Sequence, residues 1–141
     1  MSHPGLGVML HHLFGRCADP APYFGRKITA AALTKGGDDV DRLVLTFEGG
    51  DGLALFDDGQ SCCESRYMTT DDDVSSLVGQ RLARIDAKDG PETSGGDYFD
   101  EHEQVFVEVG TDQGFVTLVT HNEHNGFYGG FALTLEAVPK A

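Results

Sequence analysis

Hydrophobic and polar positions alternate along much of this chain, and clusters of glycine and aspartate interrupt the alternation. A period of two marks a half-buried strand, because successive side chains leave opposite faces of an extended backbone. Leu43, Leu45 and Phe47 alternate with Val44, Thr46 and Glu48. Gly49-Gly50-Asp51-Gly52 then reads as a hairpin turn, and Leu53 to Phe56 returns before Asp57-Asp58-Gly59 ends the run. From Glu101 to Gly110 the pattern predicts a strand with Val105, Val107 and Val109 on one face. His102, Gln104, Phe106 and Glu108 take the other. Thr111-Asp112-Gln113-Gly114 predicts the next turn, and Phe115 to Thr120 the strand that pairs back, which brings His121 near residue 104. A last strand from about Phe127 to Val138 carries Phe131, Leu133, Leu135 and Ala137 on one side.

The remaining segments are less regular. Lys27 to Thr34 reads as a strand, with a short helix as the alternative because of its alanines. Cys62 to Met68 is extended, and Leu82 to Ala87 is a further strand. Asp71, Asp72 and Asp73 suit a helix start and Gly79 a stop, so one short helix is expected near 72–78. Asp89 to Tyr98 has the composition of an exposed loop. Residues 1–26, broken by Pro4, Gly5, Gly7, Pro20, Pro22 and Gly25, are expected to form an irregular N-terminal arm on a single β-rich domain of residues 27–141. Strands joined by short Gly/Asp turns pair antiparallel. The expected fold is therefore mainly β, an antiparallel sheet forming a small sandwich or partly open barrel.

Charge narrows the function classes. The net charge is −13, and between Lys88 and Lys140 there is no lysine or arginine but ten carboxylates. Such a surface repels nucleic acid and anionic membranes, so neither is an expected direct partner. It serves solubility, and it also suits a cation site or a mimic of the nucleic-acid backbone. No apolar run approaches the ~18 residues of a membrane span, and the start of the chain lacks the pattern of a signal peptide. Three cysteines, two of them adjacent (Cys17, Cys62, Cys63), make a poor disulfide framework. A cytoplasmic setting is expected, the host cytoplasm if the chain is phage-encoded.

The densest side-chain chemistry runs from His121 to Phe131, with His121, Glu123, His124, two asparagines, Tyr128 and three glycines. Glycine and asparagine tolerate left-handed backbone, so this stretch reads as a turn with the histidines at its tip or shoulder. His121, His124 and Glu103 form a candidate ligand set for zinc or another divalent transition metal, although no cofactor is required. The same groups also serve as a candidate general base, or they tie the turn to backbone carbonyls. Cys62 and Cys63 point to opposite faces if extended, so Cys63 beside His121 or His124 is a candidate thiol–imidazole pair. Glu64 and Arg66, two apart, are expected to pair. The aspartate runs at 38–41 and 71–73 do not fit a calcium loop, and no glycine-rich phosphate loop is present.

Cys62-Cys63-Glu64-Ser65-Arg66-Tyr67 and His121 to Phe131 together resemble the two signature blocks of a domain family of unknown function found in phage and bacterial proteins. The likeness covers about residues 27–138, with Phe127 where a tyrosine is expected. It implies a phage or bacterial source and an intracellular setting, and supplies no reaction. The expected function is a small cytosolic binding domain that recruits a protein partner or a small ligand. Its expected ligand surface is the His121–Gly130 turn (Asn122, Glu123, Asn125, Tyr128) with Cys63, Glu64 and Arg66. Two alternatives stand beside it: a metal-dependent or Cys/His hydrolase on the same residues, and an acidic inhibitor of a nucleic-acid enzyme.

Overall fold

The alternation is realised as two facing sheets in the computed structural model, which describes residues 16–36, 40–58, 64–94, 101–124 and 131–140. In chain order the strands are β1 (Arg16–Cys17), β2 (Ile28–Thr34), β3 (Arg42–Phe47), β4 (Gly52–Asp57), β5 (Glu64–Thr69), β6 (Leu82–Ser94), β7 (Glu101–Thr111), β8 (Phe115–His124) and β9 (Leu133–Val138). One sheet has the order β1-β9-β4-β3-β2 and the other β5-β8-β7-β6. All pairings are antiparallel except the two-residue β1, which runs parallel to β9. The fold is a mainly β sandwich, and the sheets do not close into a barrel.

The apolar positions picked out by the period of two meet between the sheets. Leu43, Leu45 and Phe47 of β3, Leu53 and Leu55 of β4, and Leu133 and Leu135 of β9 face Val105, Val107 and Val109 of β7 and Val116 and Leu118 of β8. Each fully buried side chain of this size contributes roughly 1.5–3 kcal/mol. The β3–β4 hairpin turns on Gly49 and Gly50, whose φ values of 107° and 99° exclude most other residues.

β2 fastens the two sheets together. At its start Ile28 N donates to Gln80 O at 2.8 Å and its carbonyl accepts from Gly79 N at 2.8 Å. Beyond its end, Lys35 Nζ donates to Met68 O at 2.6 Å, and Asp41 accepts from Met68 N at 2.9 Å. β2 and the residues that follow it thus reach from the segment just before β6 to the end of β5, the two edge strands of the other sheet. Covering backbone groups on an edge strand this way also blocks pairing with foreign strands. Tyr23 packs on Phe47 with ring centroids 5.1 Å apart, so the described residues before β2 also touch the core.

Four expectations are corrected in detail. The helix near 72–78 is a single 3-10 turn, Val74–Leu77. Val74 and Leu77 are its two buried side chains, and a three-residue spacing aligns in a 3-10 turn. The short-helix alternative for 27–34 is replaced by β2. The loop from Asp89 is strand as far as Ser94, because the β6–β7 ladder absorbs Gly90-Pro91 by a shift of register between Asp89 and Glu92. Proline is tolerated there because β6 is an edge strand. Finally, β8 continues to His124, so both histidines lie on a strand instead of at a turn. Among the described residues no helix is long and apolar enough to cross a membrane.

Candidate functional site

The described parts of the two blocks, Glu64–Tyr67 and His121–His124, lie on neighbouring strands. β5 pairs with β8 in the register Glu64–His124, Ser65–Glu123, Arg66–Asn122 and Tyr67–His121. On the other side of β8, β7 pairs Gln104 with His121, Glu103 with Asn122 and His102 with Glu123. This is the register that the four-residue hairpin at Thr111–Gly114 predicts. Residues that are distant in sequence therefore share one strand triplet, β5-β8-β7.

The same period of two then divides them. Asn122 and His124 point between the sheets, while His121 and Glu123 point outward. His121 and His124, treated in sequence as one set with Glu103, stand on opposite faces of β8. Glu103 accompanies His124 alone, at 2.8 Å from Oε1 to Nε2. Among the described residues no group of three or more His, Cys, Asp or Glu side chains is placed to hold a metal ion.

The inward face is a buried polar cluster. Arg66 Nη1 donates to both oxygens of Asp57, at 3.0 and 3.1 Å, across the gap between the sheets. The two side chains are only 8% and 6% exposed. Asp57 also accepts from Ala132 N at 3.1 Å, just before β9. Asn122 is fully buried beside them in register, so a part in ligand contact is open to it only through the interior. Asp57 was read in sequence as a turn residue. Its signal was present, since Leu53, Leu55 and Asp57 continue one face of a strand.

The outward face carries aromatic and imidazole rings. Tyr67 stacks on His121 at 4.4 Å between centroids and 8° between planes, as direct cross-strand neighbours. Tyr67 OH donates to Glu123 Oε2 at 2.7 Å. His121 Nε2 meets the Thr69 hydroxyl at 2.8 Å, and its Nδ1 meets His102 Nε2 at 2.9 Å. The His102 and His121 centroids are 5.1 Å apart. That exceeds the nitrogen separation by two ring radii, so the rings meet edge to edge along the nitrogen–nitrogen line. Tyr67 closes the Cys62–Tyr67 segment of the expected ligand surface, whereas Thr69, at the next alternate position of β5, joined no expected site.

Electrostatics distinguish these groups. Burial, and then the neighbouring His102, push His121 down to about 4, against a partial opposing pull from Glu123. Burial, and then the hydrogen bond to Glu123, push the Tyr67 phenol up to about 12. At neutral pH both are uncharged, and the face offers fixed donors and acceptors beside one carboxylate. A base this weak removes little of the proton from the Thr69 hydroxyl near pH 7, where efficient catalysis needs a base tuned to ambient pH.

Of the remaining expected site residues, Glu64 is placed by its backbone opposite His124. Its side chain, Cys63, Asn125 and Tyr128 lie outside the described residues. Arg66 pairs with Asp57 on the facing sheet, and the expected Glu64–Arg66 pair involves a side chain outside the described residues.

A family model described as a domain of unknown function, DUF7448, matches residues 22–133, well over half of the chain. The chain belongs to the DUF7448 family. The matched region of this DUF7448 domain contains β2 to β8 entire, and with them both faces of the β5–β8 pair. No curated protein matches the chain, and no solved structure does.

Proposed function

We propose that this DUF7448 domain is a small binding domain of phage or bacterial type. It recruits a protein partner or small ligand on the outward face of β5-β8-β7 and the segment that follows β8 to Gly130. The observation that carries this reading is the row Tyr67–His121–His102 with Glu123, an aromatic and hydrogen-bonding surface built outside the core. Tyrosine and histidine present an apolar body with a polar tip, which suits recognition without much loss of side-chain freedom. The buried Arg66–Asp57 and His124–Glu103 pairs hold the strands that carry this row.

The test is capture from a bacterial lysate by the immobilised chain. Wild type is compared with Tyr67→Ala, Glu123→Ala and, as a control elsewhere on the same face, Lys88→Ala. The expected result is a partner retained by wild type and Lys88→Ala and depleted in the other two. Equal retention by all four would overturn the placement. Retention that ignores Tyr67 but vanishes in high salt would transfer the function to the acidic surface and the inhibitor reading.

A further inference from the structure

Among the described side chains, the buried and half-buried carboxylates other than Glu123 each meet a basic group. Asp41 meets Lys35, Asp51 meets Arg26, Asp57 meets Arg66, Asp86 and Glu108 meet Arg84, and Glu103 meets His124. Glu123 is half-buried as well, but the group it meets among the described residues is neutral, the Tyr67 hydroxyl at 2.7 Å from Oε2. The neighbouring imidazoles do not take up its charge. His121 uses both nitrogens elsewhere, on Thr69 and on His102, and burial keeps it uncharged at neutral pH. His102 stands opposite Glu123 in register but turns Nε2 to His121. A carboxylate has about four acceptor positions on its two oxygens, so a single phenol leaves most of them open. Drawing a charge out of water is unfavourable unless an opposite charge comes to it.

We propose that Glu123 is the seat for a basic side chain, arginine or lysine, of the protein partner recruited on the outward face of β5-β8-β7. This names the partner's chemistry and rests on the binding reading above. Charge complementarity fixes the sign of the occupant. Between Lys88 and Lys140 the chain carries ten carboxylates and no lysine or arginine, so its wider field also draws in a basic surface. The strand register fixes the seat. Tyr67 stacks on His121 and its hydroxyl donates to Oε2, so the carboxylate is held in place before a partner arrives. Oε1 and the remaining lone pair of Oε2 then accept N–H donors from the incoming guanidinium or ammonium, as charge-assisted hydrogen bonds. A side chain ordered in advance loses little freedom on binding.

The probe is the peptide acetyl-Gly-Arg-Gly-amide, titrated into the isotope-labelled full chain at low salt and followed by amide chemical shifts. Its control is the same peptide with citrulline, which keeps the shape of arginine without the charge. The expected shifts centre on residues 67 and 121–123, and the arginine peptide binds at least ~10-fold more tightly than the citrulline peptide. Glu123→Gln still accepts from Tyr67 and should reduce the arginine peptide to the citrulline level. Glu136→Gln, at an exposed carboxylate on the other sheet, should change neither affinity. The comparison of the two peptides needs no variant, so it stands even if Glu123→Gln folds poorly. Equal affinity for the two peptides, arginine affinity unchanged in a folded Glu123→Gln, or shifts centred on the aspartates at 71–73 would each overturn the seat. Failure of the binding reading looks different. Lysate capture that ignores Glu123→Ala, with the arginine preference intact, overturns the partner and keeps the cation seat. Capture lost in Glu123→Ala without any arginine preference overturns the cation seat and keeps the binding face.

Discussion

β8 places two histidines three residues apart on opposite faces, and the two faces treat them differently. His124 is buried against a carboxylate, Glu103. His121 is half-buried against another imidazole and a hydroxyl. An imidazole facing an imidazole is held neutral, and burial with His102 takes it down to about 4. The inward face joins Arg66 to Asp57 and His124 to Glu103, and the outward face stacks Tyr67 on His121.

The sharpest way to break this contrast is to strip one partner from the inner face. Arg66→Ala leaves Asp57 buried without its guanidinium and should cost about 3–5 kcal/mol in urea unfolding. Arg66→Met with Asp57→Leu, which removes both charges at similar volume, should recover most of that loss. If the single substitution costs under about 1 kcal/mol, the pair does not hold the sheets together.

A smaller difference separates the two histidines. His124→Ala opens a void and strands Glu103, with an expected loss of about 2–4 kcal/mol. His121→Ala, on the outer face, should cost no more than about 1 kcal/mol at pH 7. Equal losses would mean that the faces do not differ as described.

Acidification, compared between wild type and His121→Gln, tests the outer face. His121 has a folded-state pKa below its unfolded value, so the unfolded chain takes up its proton first. The stability it contributes is complete above about 6.5 and lost as pH falls toward about 4. Solvent screening of this half-exposed group leaves a slope worth on the order of 1 kcal/mol across that window. The check is urea midpoints at pH 7 and pH 5 in chelator-containing buffer, for wild type and His121→Gln. The variant should lose part of the pH dependence, and an unchanged slope would reject the shift. The smallest effect is spectroscopic. Of four tyrosines, one should ionise late, near 12, by absorbance at high pH, and Glu123→Gln should bring it earlier.

Much of the scaffold was legible beforehand. The inward set Val105, Val107, Val109 and the pairing of His121 with residue 104 followed from alternation and a four-residue turn alone, and both appear in the structure. The candidate site was legible only as a neighbourhood. That β5 lies beside β8, and thus that Tyr67 stacks on His121, depends on a pairing that skips β6 and β7 in the chain. Arg66 also reaches Asp57 on the facing sheet, a partner that nothing on its own strand announces, while the expected Glu64 partner has its side chain outside the described residues. Neither relation leaves a local trace in the sequence.

The chain by itself thus determined strand periodicity, the turns and the acidic balance, because each depends on neighbours within a few residues. The tertiary structure alone decided which strands adjoin and where β8 stops being a turn and continues as strand. That last point sends His121 and His124 apart, since one more pair of extended residues turns a shared cluster into two opposite faces.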